Sequence, residues 1–352
     1  MSTATTQEDL SPIFESLRAG SGLPALAGAV WKGGQLVAIG ATGYRKFGNS
    51  TRVTIDDRWH IGSDTKAMTA TLAGILIDRG LLSFDDTLGK LFLGEDVAPG
   101  YLDVTLEQLL RHRGGAPSQI PPAISRKMWL QREPNERQDV VRALLSQGPA
   151  SPTGTYIYSN AGYMIVGAVL ETIANQSWEQ LMQDELFKPL KMNSCGFGPP
   201  GSASRFPDEP WGHVALFLPI PVRPGPNADN PLSLGPAGTV HTSLADWGNF
   251  LALHLRGARK ETTPLVSLET IKRLQSPPEG GDYACGWLVT QRPWAGGDGT
   301  ALTHSGSNTM WYATAWLAPA KDIAFAVVAN RGDGVAAKVV NRAFAPLIER
   351  WC

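Results

Sequence analysis

The stretch Gly62-Ser63-Asp64-Thr65-Lys66-Ala67-Met68-Thr69-Ala70 decides how this chain is read. It opens a strongly helical run. Residues i and i+3 of a helix share a face, so the Lys66 ammonium can lie beside the Ser63 hydroxyl. A helix N-terminus and burial both disfavour the charged lysine and lower its pKa. A lysine tuned in this way can act as a base toward serine. Taken alone, the same residues also read as a capping serine and a solvated lysine.

Two clusters further along could complete such a site. Tyr158-Ser159-Asn160 precedes a helical run at 161–175. A phenol near a cation loses its proton more readily and can relay protons to a leaving group. The Asn160 amide offers a donor and an acceptor for Lys66 or a substrate. Tyr158 as a core aromatic and Asn160 as a helix N-cap is the plainer alternative. Thr303-His304-Ser305-Gly306-Ser307 is strand-like, and a small-Gly-small run lets its backbone approach a ligand closely. The Ser307 N–H could then join that of Ser63 as an oxyanion hole. His304 also reads as a structural strand-edge residue.

In order along the chain, S-x-x-K, Y-x-N and H-S-G resemble the serine β-lactamase and penicillin-binding-protein superfamily. The Y-x-N element is similar to the class C β-lactamase-like branch, with its D-Ala-D-Ala carboxypeptidases, D-aminopeptidases and carboxylesterases. Other segments look like the same family: Gly80–Asp86, Leu109–Pro117, and Gly235–Val240 with Ala245-Asp246-Trp247. The resemblance runs from about residue 10 to the C-terminus. It implies an acylated Ser63, with Lys66 and Tyr158 sharing the base role. It implies Asn160 bonded to Lys66 and substrate, Gln119 on the acyl side, and Ser305 and Gly306 completing the late strand. His304 stands where β-lactamases carry Lys. A fixed cation there would meet a β-lactam carboxylate, whereas a histidine with an ordinary pKa of about 6.5 is mostly neutral at pH 7. The expected activity is therefore a carboxylesterase for small esters. A D-Ala-D-Ala carboxypeptidase, a D-aminopeptidase or a weak β-lactamase stays open, as does a non-catalytic binding protein on the same fold.

Composition agrees with a small-molecule enzyme. Lys and Arg number 31 against 32 Asp and Glu, for a net charge of -1. That balance excludes the clustered basic excess of a nucleic-acid binder. There is no apolar run long enough to span a membrane. The N-terminal MSTATTQEDL has neither basic nor apolar signal regions, which implies a cytoplasmic protein. Cys195, Cys285 and Cys352 form no CxxC pair, and the six histidines are scattered, so neither a metal nor another cofactor is expected. The expected partner is a small ester or amide; the oligomeric state is open.

The expected fold class is α/β (α+β) and β-lactamase-like. Strand runs occur at both ends of the chain: Leu26–Trp31 and Leu36–Gly40 early, then Gly286–Thr290, Trp311–Ala318 and Ile323–Ala329 late. Helices are expected at 6–19 and from Val335 to Trp351. Such strands imply an antiparallel sheet assembled from both termini. Helical periodicity marks 64–79, 85–91, 105–111, 137–146, 161–175 and 178–187. The expected division is a sheet domain of residues 1–62 with 240–352, a mainly helical domain of 63–198, and a loop of 199–239. Ten of the 26 prolines fall in 199–236. Trp211, Leu216, Phe217 and Leu218 favour packing of this loop, and Trp211 or Phe217 is expected to wall the acyl pocket.

Overall fold

The computed structural model describes residues 7–131, 136–215 and 217–352. Seven strands form the main sheet in the order Glu8–Asp9, Gln35–Gly43, Ala25–Lys32, Ile323–Ala329, Tyr312–Ala318, Thr300–Ser307, Leu288–Gln291. All neighbours are antiparallel except the two-residue edge strand Glu8–Asp9, which runs parallel to Gln35–Gly43. The N-terminal hairpin and the C-terminal strands meet in register, with Ala27 opposite Val328 and Val30 opposite Phe325.

Period-2 alternation sends Leu26, Val30, Phe325 and Val327 to one face, against Phe14, Val340, Phe344 and Leu347 of the terminal helices Ser11–Arg18 and Gly334–Trp351. The other face is mostly alanine: Ala27, Ala29, Ala313, Ala315, Ala324 and Ala326. These small side chains let the helix Leu244–Ala258 pack close, with Trp247, Phe250 and Leu251 buried against the sheet side. Burial of a side chain of this size stabilises by about 1.5–3 kcal/mol.

The first helix is shorter than the expected 6–19. Pro12 suits its first turn, and Asp9 Oδ1 accepts the Ser11 N–H at 2.8 Å, which fixes the start. Residue 6 of that expectation lies outside the described residues. The run 178–187 divides into an α-turn, Trp178–Leu181, and a π-helical turn, Met182–Phe187. The helices outside the expected set include Leu244–Ala258 and Leu268–Gln275. Each starts on a serine whose hydroxyl accepts a backbone N–H three residues on, Ser243 from Asp246 and Ser267 from Thr270. A small three-stranded sheet is formed by Arg58–His60, Val240–Ser243 and Gly196–Phe197. Cys195, Cys285 and Cys352 are free thiols. Among the described residues no helix is long and apolar enough to cross a membrane.

The proline-rich stretch is packed, and of the aromatics that made packing the expectation only Trp211 is buried. Phe217 is fully exposed and Leu218 is 62% exposed, at the tip of the hairpin His213–Ala215/Pro219–Pro221. Leu216 lies outside the described residues. Polar contacts from the body hold the stretch instead. Arg58 pairs with Glu209 at 2.8 Å, and the Arg45 carbonyl accepts the Trp211 N–H. Fully buried Arg137 donates to the Ser233 and Leu232 carbonyls, both at 3.1 Å, while pairing with Glu171 and Glu179. Apolar residues go inside only on average, whereas the large majority of buried polar groups are hydrogen-bonded.

Candidate active site

Ser63 sits in a tight 3-10 turn, Gly62–Asp64, that leads into the buried helix Thr65–Asp78. Its hydroxyl does not cap that helix, so the capping alternative fails. Lys66 is fully buried, so it is not a solvated residue either. Its Nζ lies 3.0 Å from Ser63 Oγ, 2.8 Å from Asn160 Oδ1 and 2.7 Å from the Ala237 carbonyl oxygen. Burial pushes the Lys66 pKa well below its usual value, with the Asp64 charge pulling the other way. Two of the three partners can only accept from this nitrogen. A deprotonated amine satisfies both with its two hydrogens and turns its lone pair to Ser63.

Tyr158 and Asn160 arrive at the start of the helix Asn160–Ala174. The N-cap there is Ser159, whose hydroxyl accepts the Gly162 N–H, which leaves Asn160 free to reach Lys66. The Tyr158 hydroxyl is in hydrogen-bond contact with Ser63. Lys66 Nζ stands 4.9 Å from the Tyr158 ring centroid and 5.6 Å from that of Tyr163. The expectation that a neighbouring cation eases Tyr158 deprotonation is corrected. Desolvation outweighs that effect and pushes its pKa above the ordinary phenol value. Tyr158 therefore keeps its proton at neutral pH.

The strand Thr300–Ser307 closes the site from the other side. Gly306 packs so tightly on Ile61 and Ser63 that a Cβ would collide with their backbones. Gly62, at φ +52, makes the reciprocal approach to Ser307. The small-Gly-small run thus brings its backbone against the nucleophile turn, where the N–H groups of Ser63 and Ser307 can serve one oxyanion. Ser307 turns its hydroxyl to the Gly332 carbonyl, and Ser305 turns its own to Thr314. His304 is buried, 3.1 Å from the Tyr283 hydroxyl. Burial, with the Lys66 charge, pushes its pKa down to about 3.

Not every expected residue joins this group. Gln119 is exposed on the turn before the helix Pro122–Leu130. Trp211 is buried under Lys46, whose Nζ is 4.2 Å from its ring, and Phe217 points to solvent. Trp211 is engaged by Lys46 and the Arg45 carbonyl, and Phe217 is exposed. Conversely, the structure adds His112 and Tyr283. The His112 ring lies 4.3 Å from Tyr158 and 4.6 Å from Tyr283, and its Nδ1 accepts the Ser159 N–H at 3.1 Å. His112 lies within the Leu109–Pro117 segment, a signal in hand; Tyr283 carries no motif.

The pattern of the beta-lactamase family matches residues 10–348. Penicillin-binding protein 4 of Amycolatopsis lactamdurans is 28% identical, over 91% of this chain and 84% of that protein. Protein flp of Staphylococcus aureus (strain MW2) is 23% identical over 96% of this chain, which spans 66% of flp. The class C beta lactamase of Rhodobacter sphaeroides superposes with a TM-score of 0.73 at 21% identity, covering 96% of this chain and 98% of that one, so the fold is shared. By its fold, its sequence pattern and its curated relatives, this chain belongs to the beta-lactamase family, within the serine β-lactamase and penicillin-binding-protein superfamily of hydrolases.

Proposed function

We propose that this protein is a serine hydrolase that forms an acyl-enzyme on Ser63 and acts on small, weakly charged esters. The observation that carries the mechanism is Lys66: fully buried, 3.0 Å from Ser63 Oγ, with its other two partners restricted to accepting. Ser63 Oγ attacks the ester carbonyl carbon as its proton passes to Lys66 Nζ. The carbonyl oxygen becomes an oxyanion on the N–H groups of Ser63 and Ser307. Collapse expels the alcohol, which takes its proton by way of the Tyr158 hydroxyl. Water then repeats the sequence on the acyl-enzyme, with Lys66 again accepting the proton, and releases the acid.

The ester preference rests on His304. With its pKa held near 3 it carries no charge at neutral pH. A substrate carboxylate gains nothing there from a charge-assisted bond. Short p-nitrophenyl esters, nitrocefin and a D-Ala-D-Ala peptide should be compared on the wild type and Ser63→Ala, with intact mass followed in parallel. Esters should turn over, with an acyl adduct that Ser63→Ala abolishes. Peptide turnover above ester turnover would favour the peptidase reading, for which the likeness to a penicillin-binding protein speaks. Ester turnover surviving in Ser63→Ala would overturn the mechanism.

A further inference from the structure

Behind the nucleophile lies a buried polar link that the chemistry above does not use. The His60 side chain is fully buried and stacks on Trp311, with ring centroids 5.5 Å apart at 26°. The Gly62 N–H points at its Nδ1, 3.1 Å away. A backbone N–H can only donate, so Nδ1 is bare and the ring proton sits on Nε2. Nε2 lies 2.9 Å from Oδ1 of Asp229, whose side chain is 5% exposed. That same oxygen accepts the Asn308 side-chain amide at 2.9 Å and the Asn230 N–H at 2.7 Å. Asn308 directly follows Ser307, and its Oδ1 accepts the N–H groups of Met310 and Trp311. Between them Thr309 is held at φ +74, a conformation a β-branched residue keeps only when its surroundings enforce it. Asn230 donates in turn to the Gly238 carbonyl, and Gly238 lies against the Gly62–Ser63 backbone.

We propose that Asp229 is a positioning residue of the oxyanion hole: through His60 and Asn308 it sets the spacing between the Ser63 turn and the Ser307 strand end. This rests on the acyl-enzyme reading above. One carboxylate oxygen touches both halves of the hole: it accepts from Asn308 on the strand side and lies 2.9 Å from His60 Nε2 on the turn side. An oxyanion hole needs its donors at about 2.7–3.1 Å from the developing charge, and a misplacement of about 1 Å can cost about a hundredfold in rate. The Asn308 amide and the Asn230 N–H donate to one buried carboxylate oxygen, and the His60 ring edge closes against it at 2.9 Å, which makes a stiff spacer because losing the carboxylate leaves buried polar groups unpaired. The link also gives the proline-rich stretch a task. Its contribution is this carboxylate behind the nucleophile rather than an aromatic wall in front of it.

The test is steady-state turnover of p-nitrophenyl butyrate, with active sites counted by the p-nitrophenol burst. Asp229→Ala should lower kcat per counted site by about a hundredfold and move KM by less than about threefold, since the donors act on the transition state. Asp229→Asn, which keeps an acceptor without the charge, should recover part of that loss. If Asp229→Ala does not fold, Asn308→Ala breaks the same link from the strand side and carries the same expectation. A kcat per site within about twofold of wild type in the folded variant, or a loss confined to KM or to the number of sites, overturns the proposal. Wild-type turnover that persists in Ser63→Ala sinks the acyl-enzyme reading and this proposal with it. A Ser63-dependent wild type with an unaffected Asp229→Ala sinks this proposal alone.

Discussion

Lys66 and His304 both lie beside Tyr158, and burial disfavours the charged form of each. Their surroundings nevertheless give them different work. Lys66 has two fixed acceptors and one hydroxyl, so its lone pair has a single direction to face, toward Ser63. His304 is turned to the Tyr283 hydroxyl and meets no nucleophile. A lowered pKa makes a base available; the hydrogen-bond partners decide what it can take a proton from.

The largest effect should follow from removing the lysine. Lys66→Ala should lower the acylation rate with p-nitrophenyl butyrate by about 10³-fold or more, read in single turnover. Lys66→Arg should be no better, because a guanidinium cannot give up its proton. A loss under about tenfold in Lys66→Ala would shift the base role to Tyr158 and erase the contrast.

The pH profile sharpens it next. The acylation rate should rise as Lys66 loses its proton, on a limb well below the ordinary lysine range. No step should appear near 6.5, because His304 titrates at about 3. A His304→Gln variant should leave the limb in place; a limb that moves or vanishes would hand the general-base role to the histidine.

Restoring a cation at His304 should have an intermediate effect. His304→Lys should speed acylation by carboxylate-bearing β-lactams about tenfold, as a charge-assisted bond forms. Unchanged or slower acylation would argue that substrate carboxylates do not reach this position.

A stability effect of similar or smaller size concerns the same side chain. The folded state keeps His304 unprotonated down to about pH 3, whereas the unfolded chain protonates it near 6.5. The unfolded state therefore binds more protons inside that window, and stability falls as pH drops from 6.5 toward 3. The slope is at most about 1.4 kcal/mol per pH unit for one fully buried histidine. His254, also held at about 3, adds to it in the same direction. Thermal melts at pH 7 and pH 5 should converge in His304→Gln relative to wild type. The smallest effect belongs to the hairpin tip: Phe217→Ser should leave ester chain-length preference unchanged, because the ring meets only solvent.

What could be read before folding follows a physical division. Ser63 and Lys66 share one helical turn, so their meeting is a local consequence of spacing. Tyr158, Asn160 and His304 were legible through their order and their residue types. The sheet from both termini was legible because Ala25–Lys32 and Ile323–Ala329 are short apolar runs flanked by turn residues. His60, Asp229 and Tyr283 were not, since each acts through a contact between distant segments that no local pattern encodes. The packing of the 199–239 stretch was legible through Trp211, but its polar anchors on Arg137 and through Asp229 were not, since such contacts leave no periodic trace.

The strand Ile323–Ala329 fills the gap between Ala25–Lys32 and Tyr312–Ala318. Its position dictates an order of events during synthesis. The N-terminal hairpin leaves the ribosome with one edge unpaired, and its partner follows some 300 residues later, as the Ala25–Asn330 hydrogen bond illustrates. Until then an apolar edge stays open to wrong pairing. The Gly306 strand that completes the catalytic turn also arrives late, so the nascent chain carries Ser63 and Lys66 long before it can use them. The Ser63 turn gains its tight contact with Gly306 only once the strand Thr300–Ser307 has been made.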